Sequence, residues 1–556
     1  MTVVNSTSRS SVAISPNATC VDITCSSSHV AHKDHESLAS PKAVPQLSIC
    51  RSIAILAVCI SAFIVNNSSQ LAINVILPVI QRELGGFALG YGSFLLLSGR
   101  LADIYGHKLF LQIGLFIFAI SSLASALART SIQLSIFRAA MGLGSAVSAP
   151  ALLGVLGRSF EVGSQIRIIA YAAFSAGAPL GSAMGLLVGG FIVERTALHW
   201  RSISPKTNIS MWQFFYFCLA FSTLVMILVT FIIPADDVQQ KSSTVDWIGA
   251  GLIIPGLAML IVSLATASDS GWASGEVLGP FFGSLIFLIG FVAWESYLER
   301  HETRWGDPLM KLSMFRRECF GVLQCIAALL WFGFVDANYF LNIFFEEYLE
   351  LDLTETVVRF IPMLVVGVLL NVIVGFLIKK WPAQILVMIG CAGTMISCLL
   401  MAIADPESSY WGYSFPAIAL SVVGADFVFA VGTMYGAKIA SKDEQGVAGG
   451  IFQTFSQIGR AIGLSISTIV QVEVTKSEGR IYGVEVGSEL HDAPRHIFLY
   501  GIRAGLWTCF ASVALATLLA ATCLNKMGYV GKEQGTSTLK PQQETSRNKE
   551  DGSELA

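Results

Sequence analysis

Gly99-Arg-Leu-Ala-Asp103-Ile-Tyr-Gly106-His-Lys108 is a charged, glycine-punctuated stretch wedged between two apolar segments. A ten-residue break of this kind suits the elbow between two membrane helices that slide against each other. Gly99 and Gly106 let backbones come close, and Asp103 can accept hydrogen bonds from the N-terminus of a neighbouring helix. Arg100 and Lys108 keep the elbow in the cytosol.

Working outward, fourteen apolar segments lie between residues 50 and 523. Most are long enough for the roughly 20 residues that cross a hydrocarbon core, and an even number puts both tails on one side. Of 556 residues, 54% are hydrophobic and only 13% charged, against roughly 25% charged in soluble domains. Residues 1–48 and 525–556 are polar and lack helical periodicity, which predicts two cytosolic tails. With both ends inside, inner loops and tails hold more Lys and Arg than the outer loops; Arg300, Arg304, Lys311, Arg316 and Arg317 form the largest inner cluster. Gly375-Phe-Leu377-Ile-Lys379-Lys380 is a faded echo of the stretch at 99–108. Such an echo is expected when two halves repeat.

Composition also excludes function classes. A net charge of −3 argues against a nucleic-acid partner. The eleven cysteines are scattered, with no CxxC pair and no histidine spacing for zinc, so no metal or cofactor is expected. No Gly-x4-Gly-Lys-Ser/Thr phosphate loop and no nucleophile–base set are present, which argues against an ATP-driven pump and against an enzyme.

Several spans carry residues that need a reason to be in lipid. In span five, Ala173, Gly177, Gly181, Gly185 and Gly189 recur every four residues, followed by Gly190, and make one smooth stripe for a close-packed helix. Arg138 lies in span four, where an uncompensated cation costs at least about 2.5–3.5 kcal/mol. Asp336 and Asp426 sit mid-span and are the natural proton carriers; Asp336 comes first, because Asn338 and Asn342 extend a polar trail along its helix. Asn67 and Gln70, in a polar cluster of span one, with Trp331, Asn338 and Tyr339, are candidate substrate-cavity residues. Each has a plainer reading too: tight packing for the glycines, snorkelling for Arg138, structural carboxylates for the acids, lipid contact for the aromatics. Asn208-Ile-Ser210 is a glycosylation sequon in an expected outer loop.

Taken together, residues 50–525 resemble the fourteen-span drug:proton antiporter branch of the major facilitator superfamily, especially fungal aminotriazole-resistance exporters. The resemblance rests on the stretch at 99–108, the span-five stripe, Asp246-Trp-Ile-Gly249-Ala, Glu295 with Asp307-Pro308-Leu309, and Glu444-Gln-Gly446-Val-Ala-Gly-Gly450 with Gln457-Ile-Gly459. It implies an all-α membrane protein of two six-helix bundles, at 49–233 and 319–524, joined by two inserted helices and a loop at 234–318. The span-five stripe is similar to the branch's antiporter motif, and Arg138-Ala-Ala-Met-Gly142-Leu-Gly144 to its span-four arginine motif, implicated in proton transfer. Three departures stand out. Leu186 replaces a proline after the third glycine, and Ser69 stands where relatives often have an aspartate. The apolar run of span two, 84–99, is short, as if on the order of 15–20 residues near Gly85-Gly86 were missing. The implied function is proton-coupled export of small apolar drugs, toxins or secondary metabolites, by a monomer in the plasma membrane or, alternatively, the vacuolar membrane. The alternatives are an importer or exchanger of a polar solute (siderophore, borate, ammonium) and a non-transporting membrane sensor.

Overall fold

The computed structural model describes residues 49–76, 81–160, 164–197, 209–236, 244–301, 307–441, 444–484 and 493–530. Both expected tails (save 525–530), the Asn208 sequon, and the side chains of Gln70, Gly189 and Gly190 lie outside the described residues. Among these there are fourteen α-helices: α1 (Ile49–Ile76), α2 (Gln81–Tyr105), α3 (His107–Ala126), α4 (Ser131–Ser159), α5 (Gln165–Ala197), α6 (Ile209–Ile232) and α7 (Trp247–Ser270). Then follow α8 (Gly275–Arg300), α9 (Phe320–Ile343), α10 (Leu353–Leu377), α11 (Ala383–Ala402), α12 (Ser414–Ile439), α13 (Gln445–Ile481) and α14 (Arg495–Cys523). Twelve are long and apolar enough to cross a membrane; α2 and α13 fall short of that mark because they carry the glycines and polar groups of the central contact described below.

Two expectations are corrected. The stretch at 99–108 is not a ten-residue break. Helix α2 runs on through Arg100 and Asp103 to Tyr105, and the interruption is the single residue Gly106, at φ 108°. Arg, Leu and Ala favour continuing a helix, and only a residue tolerant of positive φ stops it so abruptly. The helix itself is 25 residues long, but it includes Arg82, Glu83, Arg100 and Asp103, so its apolar run stays as short as the sequence shows. Likewise, α13 continues ten residues past the expected span end at 471.

The helices form two six-helix bundles with the same internal packing. Helix α1 lies on α5, α2 on α4, and α3 on α4 and α6; in the second bundle α9 lies on α13, α10 on α12, and α11 on α12 and α14. The α1–α5 crossing is close because Gly177 and Gly181 face the Ile60 and Ile64 carbonyls of α1. Gly459 plays that part against Ala328 of α9 in the α9–α13 crossing. The span-five stripe thus packs within its own bundle, with Gly185 buried further along it. The opposite side of α5 meets α10 and α12 of the second bundle. Helices α7 and α8 pair with each other, and α7 rests on α2 and α13. Outward faces are apolar, as lipid requires: Phe231, Ile286 and Phe376 are 83%, 72% and 71% exposed.

Candidate functional site

The bundles meet along two crossings, α2 with α13 and α5 with α10. The first is built from backbone. A Cβ at Gly99 would stand 2.6 Å from the Gly446 carbonyl oxygen, and one at Gly446 2.7 Å from that of Gly99. With both side chains absent the helices touch main chain to main chain, and Asp103 reaches the first turn of α13. Its Oδ1 accepts from the Gly446 N–H and its Oδ2 from the Val447 N–H, both at 2.9 Å. Those N–H groups have no partner inside their own helix and sit at its positive end, which favours a carboxylate, but burial outweighs them and pushes the Asp103 carboxyl up to about 7. His107 Nε2 lies 3.4 Å from Asp103 Oδ1. Across the turn, the Lys108 N–H donates to Asp236, and its ammonium to the Thr230 and Ile233 carbonyls at the end of α6.

A brace surrounds this contact. After α8 the chain passes Asp307, which pairs with Arg100 of α2 at 3.3 Å, then Lys311 and Arg317, which pair with Glu444 just before α13 at 2.7 and 3.4 Å. The same short connection therefore grips both helices of the crossing. Burial works against the Glu444 charge, but the hydrogen bond and charge of Lys311, with Ser441, outweigh it and hold the carboxyl below its ordinary value. Beyond this brace, Phe63 of α1 stacks on Phe174 of α5 at 4.3 Å and, across the seam, on Phe429 of α12 at 5.6 Å, and Phe429 lies edge-on to Phe452 of α13 at 5.7 Å. All four are at least 95% buried. They form an apolar layer behind the polar clamp.

The three expected proton-coupling residues are buried but lie in three places. Asp336 is enclosed within the second bundle: Ser467 of α13 donates to its Oδ2 at 3.3 Å, Arg460 lies within Coulombic reach, and Gly463 leaves room for the carboxylate. Asp426 lies at the seam instead. Its Oδ2 is 3.2 Å from the point a Cβ on Gly367 of α10 would take, a point 2.9 Å from Pro179 of α5, and Asn371 is its polar neighbour. Arg138 sits in the first bundle, 5.9 Å from the Phe87 ring centroid. Of the expected cavity residues, Asn67 bonds the Phe63 carbonyl of its own helix and packs on Gly181. Asn338 bonds the Phe334 carbonyl, Trp331 lies edge-on to Phe334, and Tyr339 lies edge-on to Phe340. Arg460, 5.2 Å over the Trp331 ring, was visible as a cation in an apolar run. Glu444 stood in the motif that opens α13 but without a role, and Asn371 gave no signal.

The sequence pattern of the Major Facilitator Superfamily matches residues 53–464. The chain is 24% identical over 447 residues to the "Low affinity ammonium transporter" of Saccharomyces cerevisiae, covering 79% of this chain and 81% of that one. It is 26% identical over 408 residues to the "Aminotriazole resistance protein" of the same yeast, 71% of each chain. In fold it is similar to the human organic anion transporter MFSD10 (TM-score 0.57, 14% identity, 84% of this chain and 99% of that one). Two six-helix bundles, a glycine-lined crossing clamped by Asp103, and the match over most of the chain lead to one conclusion: this multi-pass membrane protein belongs to the Major Facilitator Superfamily, whose members carry small molecules and are not enzymes.

Proposed function

We propose that the chain is a proton-coupled exporter of small, largely apolar compounds, working as a monomer by alternating access. The residue range at 99–108 faces the cytosol in this reading, so the clamp, brace and phenylalanine layer together close the cytosolic side. The observation that carries it is Asp426, a carboxyl 4% exposed at the seam between α10, α12 and α5 of the other bundle. A charge there costs several kcal/mol while the seam is shut, whereas a proton removes that cost. Opening the seam to water lets the carboxyl ionise, so protonation and bundle orientation are linked through differential affinity. Asp336, enclosed inside one bundle, is less exposed to that rearrangement, and Asp426 therefore takes the first place in coupling. Export is favoured by the glycine stripe of α5 and by the resistance named for one relative; the ammonium carrier named for another makes polar solute uptake the rival. Plasma membrane is the proposed location.

The test uses inside-out vesicles or proteoliposomes loaded to impose a pH gradient. Asp426→Asn is expected to retain binding and downhill exchange of an apolar dye while losing gradient-driven accumulation at least tenfold. Accumulation equal to wild type removes Asp426 from the mechanism, and a flux that runs only from the extracellular to the cytosolic face removes export.

A further inference from the structure

The inserted helix pair holds a feature that transport by the bundles does not use. Asp246 caps α7: its Oδ1 accepts from the N–H groups of Ile248 and Gly249 at 3.1 and 2.9 Å, and the Trp294 indole of α8 donates to both of its oxygens at 3.1 and 3.0 Å. Four donated contacts on one carboxyl suit the ionised form, which accepts with both oxygens. Next to Trp294 in the chain stands Glu295, wholly buried, as is Asp246. The two acids bracket one point: a Cβ on Gly249 would run into Asp246 and stand 3.0 Å from Glu295 Oε1. Neither Glu295 oxygen has a donor in hydrogen-bonding geometry. The backbone N–H groups of Leu309 and Met310 face it from the connection after α8, and Arg100 of α2 is the cation within Coulombic reach. Arg100 is already shared with Asp307.

Two carboxyls this close and this deep cannot both stay charged cheaply, because each desolvated anion also repels the other. We propose that Asp246 and Glu295 form a proton-binding site shared between α7 and α8, with the proton on Glu295 and Arg100 as the group that senses its charge. The division of labour follows from the donors: those around Asp246 fix its charge, while Glu295 is the member left with acceptors unfilled. Losing the proton leaves Glu295 anionic beside Arg100, three residues before Asp103 on α2, and draws that helix towards the inserted pair. Proton binding at this site is independent of the coupling assigned to Asp426; only its bearing on the clamp rests on that reading.

The test is infrared difference spectroscopy of the full-length protein in proteoliposomes, following the C=O stretch of protonated carboxyl groups against pH. At pH 7, where a free glutamate with a pKa of about 4.3 is ionised, wild type is expected to show a band that Glu295→Gln removes. Asp246→Asn keeps the helix cap and removes the neighbouring charge, so it should weaken proton binding at Glu295 roughly tenfold or more and shift the band's midpoint to lower pH. That arm stands even if Glu295→Gln folds poorly. Bands from Asp336 or Asp426 are recognised by their own Asn variants, so failure of this site and failure of coupling are told apart. An unchanged band in Glu295→Gln, or an unmoved midpoint in Asp246→Asn, overturns the proposal.

Discussion

Replacing Asp103 by Asn keeps the side chain's size and removes its charge, which isolates what the clamp contributes. The carboxylate accepts two N–H groups at 2.9 Å, and its side chain is 1% exposed. Asparagine has one acceptor, so the second N–H of α13 would face an amide NH2. A hydrogen bond to a charged group is worth about 1.5–3 kcal/mol, and a charge at a helix N-terminus about 0.3–1 kcal/mol. At about pH 8, above the value of about 7 to which burial pushes this carboxyl, the closed arrangement should therefore lose about 2–4 kcal/mol, a shift of roughly 30- to 700-fold in the ratio of closed to open states. Spin labels at Tyr105, 52% exposed at the end of α2, and at Lys438, exposed near the end of α12, report the gap by pulsed electron resonance. A narrow short distance in wild type should become a mixture dominated by longer distances in Asp103→Asn. If the variant keeps the wild-type distribution, the carboxylate contributes little and the closure is held by apolar packing alone.

Gly446→Ala should open the same gap, because its Cβ would stand 2.7 Å from the Gly99 carbonyl oxygen; combined with Asp103→Asn the effects should be less than additive, as both act on one contact. Glu444 sets a pH dependence of definite sign. Its carboxyl is held below its ordinary value in the closed state, so its contribution is present above about pH 4.3 and is lost as pH falls through the lowered value. Closure measured by the same labels should therefore be flat from neutral pH down to about 5 as far as Glu444 is concerned, and Glu444→Gln should weaken it throughout that range; a wild-type transition near pH 6 that Glu444→Gln abolishes contradicts this. Phe429→Ala removes the ring that touches Phe63 and Phe452, and should raise labelling by a thiol reagent of a cysteine placed at Ser175, buried next to Phe174 in α5, when the reagent is applied from the Asp103 side; unchanged labelling would show that the ring does not shield this level of the seam.

The sequence made the all-helical membrane fold and the clamp's chemistry legible, because both follow from local rules. Long apolar runs must be helical in lipid, and a carboxylate between glycines announces a close polar contact. The partner was not legible: Gly446 lies 343 residues away, and no local preference encodes such a pairing. Nor was the end of α2. A Gly-Arg-Leu-Ala-Asp run reads as a break when charge is taken to end a span, but charge ends only the lipid-facing part of a helix, and Gly106 ends the helix itself. Asp336 and Asp426 looked alike in sequence for a further reason. A helix apolar on every side gives no periodic signal of which face meets its own bundle and which meets the other. The polar trail of Asn338 and Asn342 favoured Asp336, whereas the packing places it inside one bundle and Asp426 at the seam.

The composition of the closure also bears on why it can open. Arg100–Asp307, Lys311–Glu444 and Arg317–Glu444 each have a partner between 38% and 61% exposed, and such pairs contribute about 0–1 kcal/mol each. The clamp adds a few kcal/mol, as worked above for Asp103. A closure of that size is comparable with the work that the proposed proton coupling would supply, about 2.3 kcal/mol for one proton moving down 100 mV. Had the brace been buried and dry, breaking it would cost about 3–5 kcal/mol per pair, beyond what one proton supplies. The backbone contact at Gly99 and Gly446 makes the choice sharp, because a separation of a few ångströms breaks both N–H bonds to Asp103 together. Strength comes from the short-range clamp and adjustability from the exposed brace, a division that suits an interface required to close and reopen in every transport cycle.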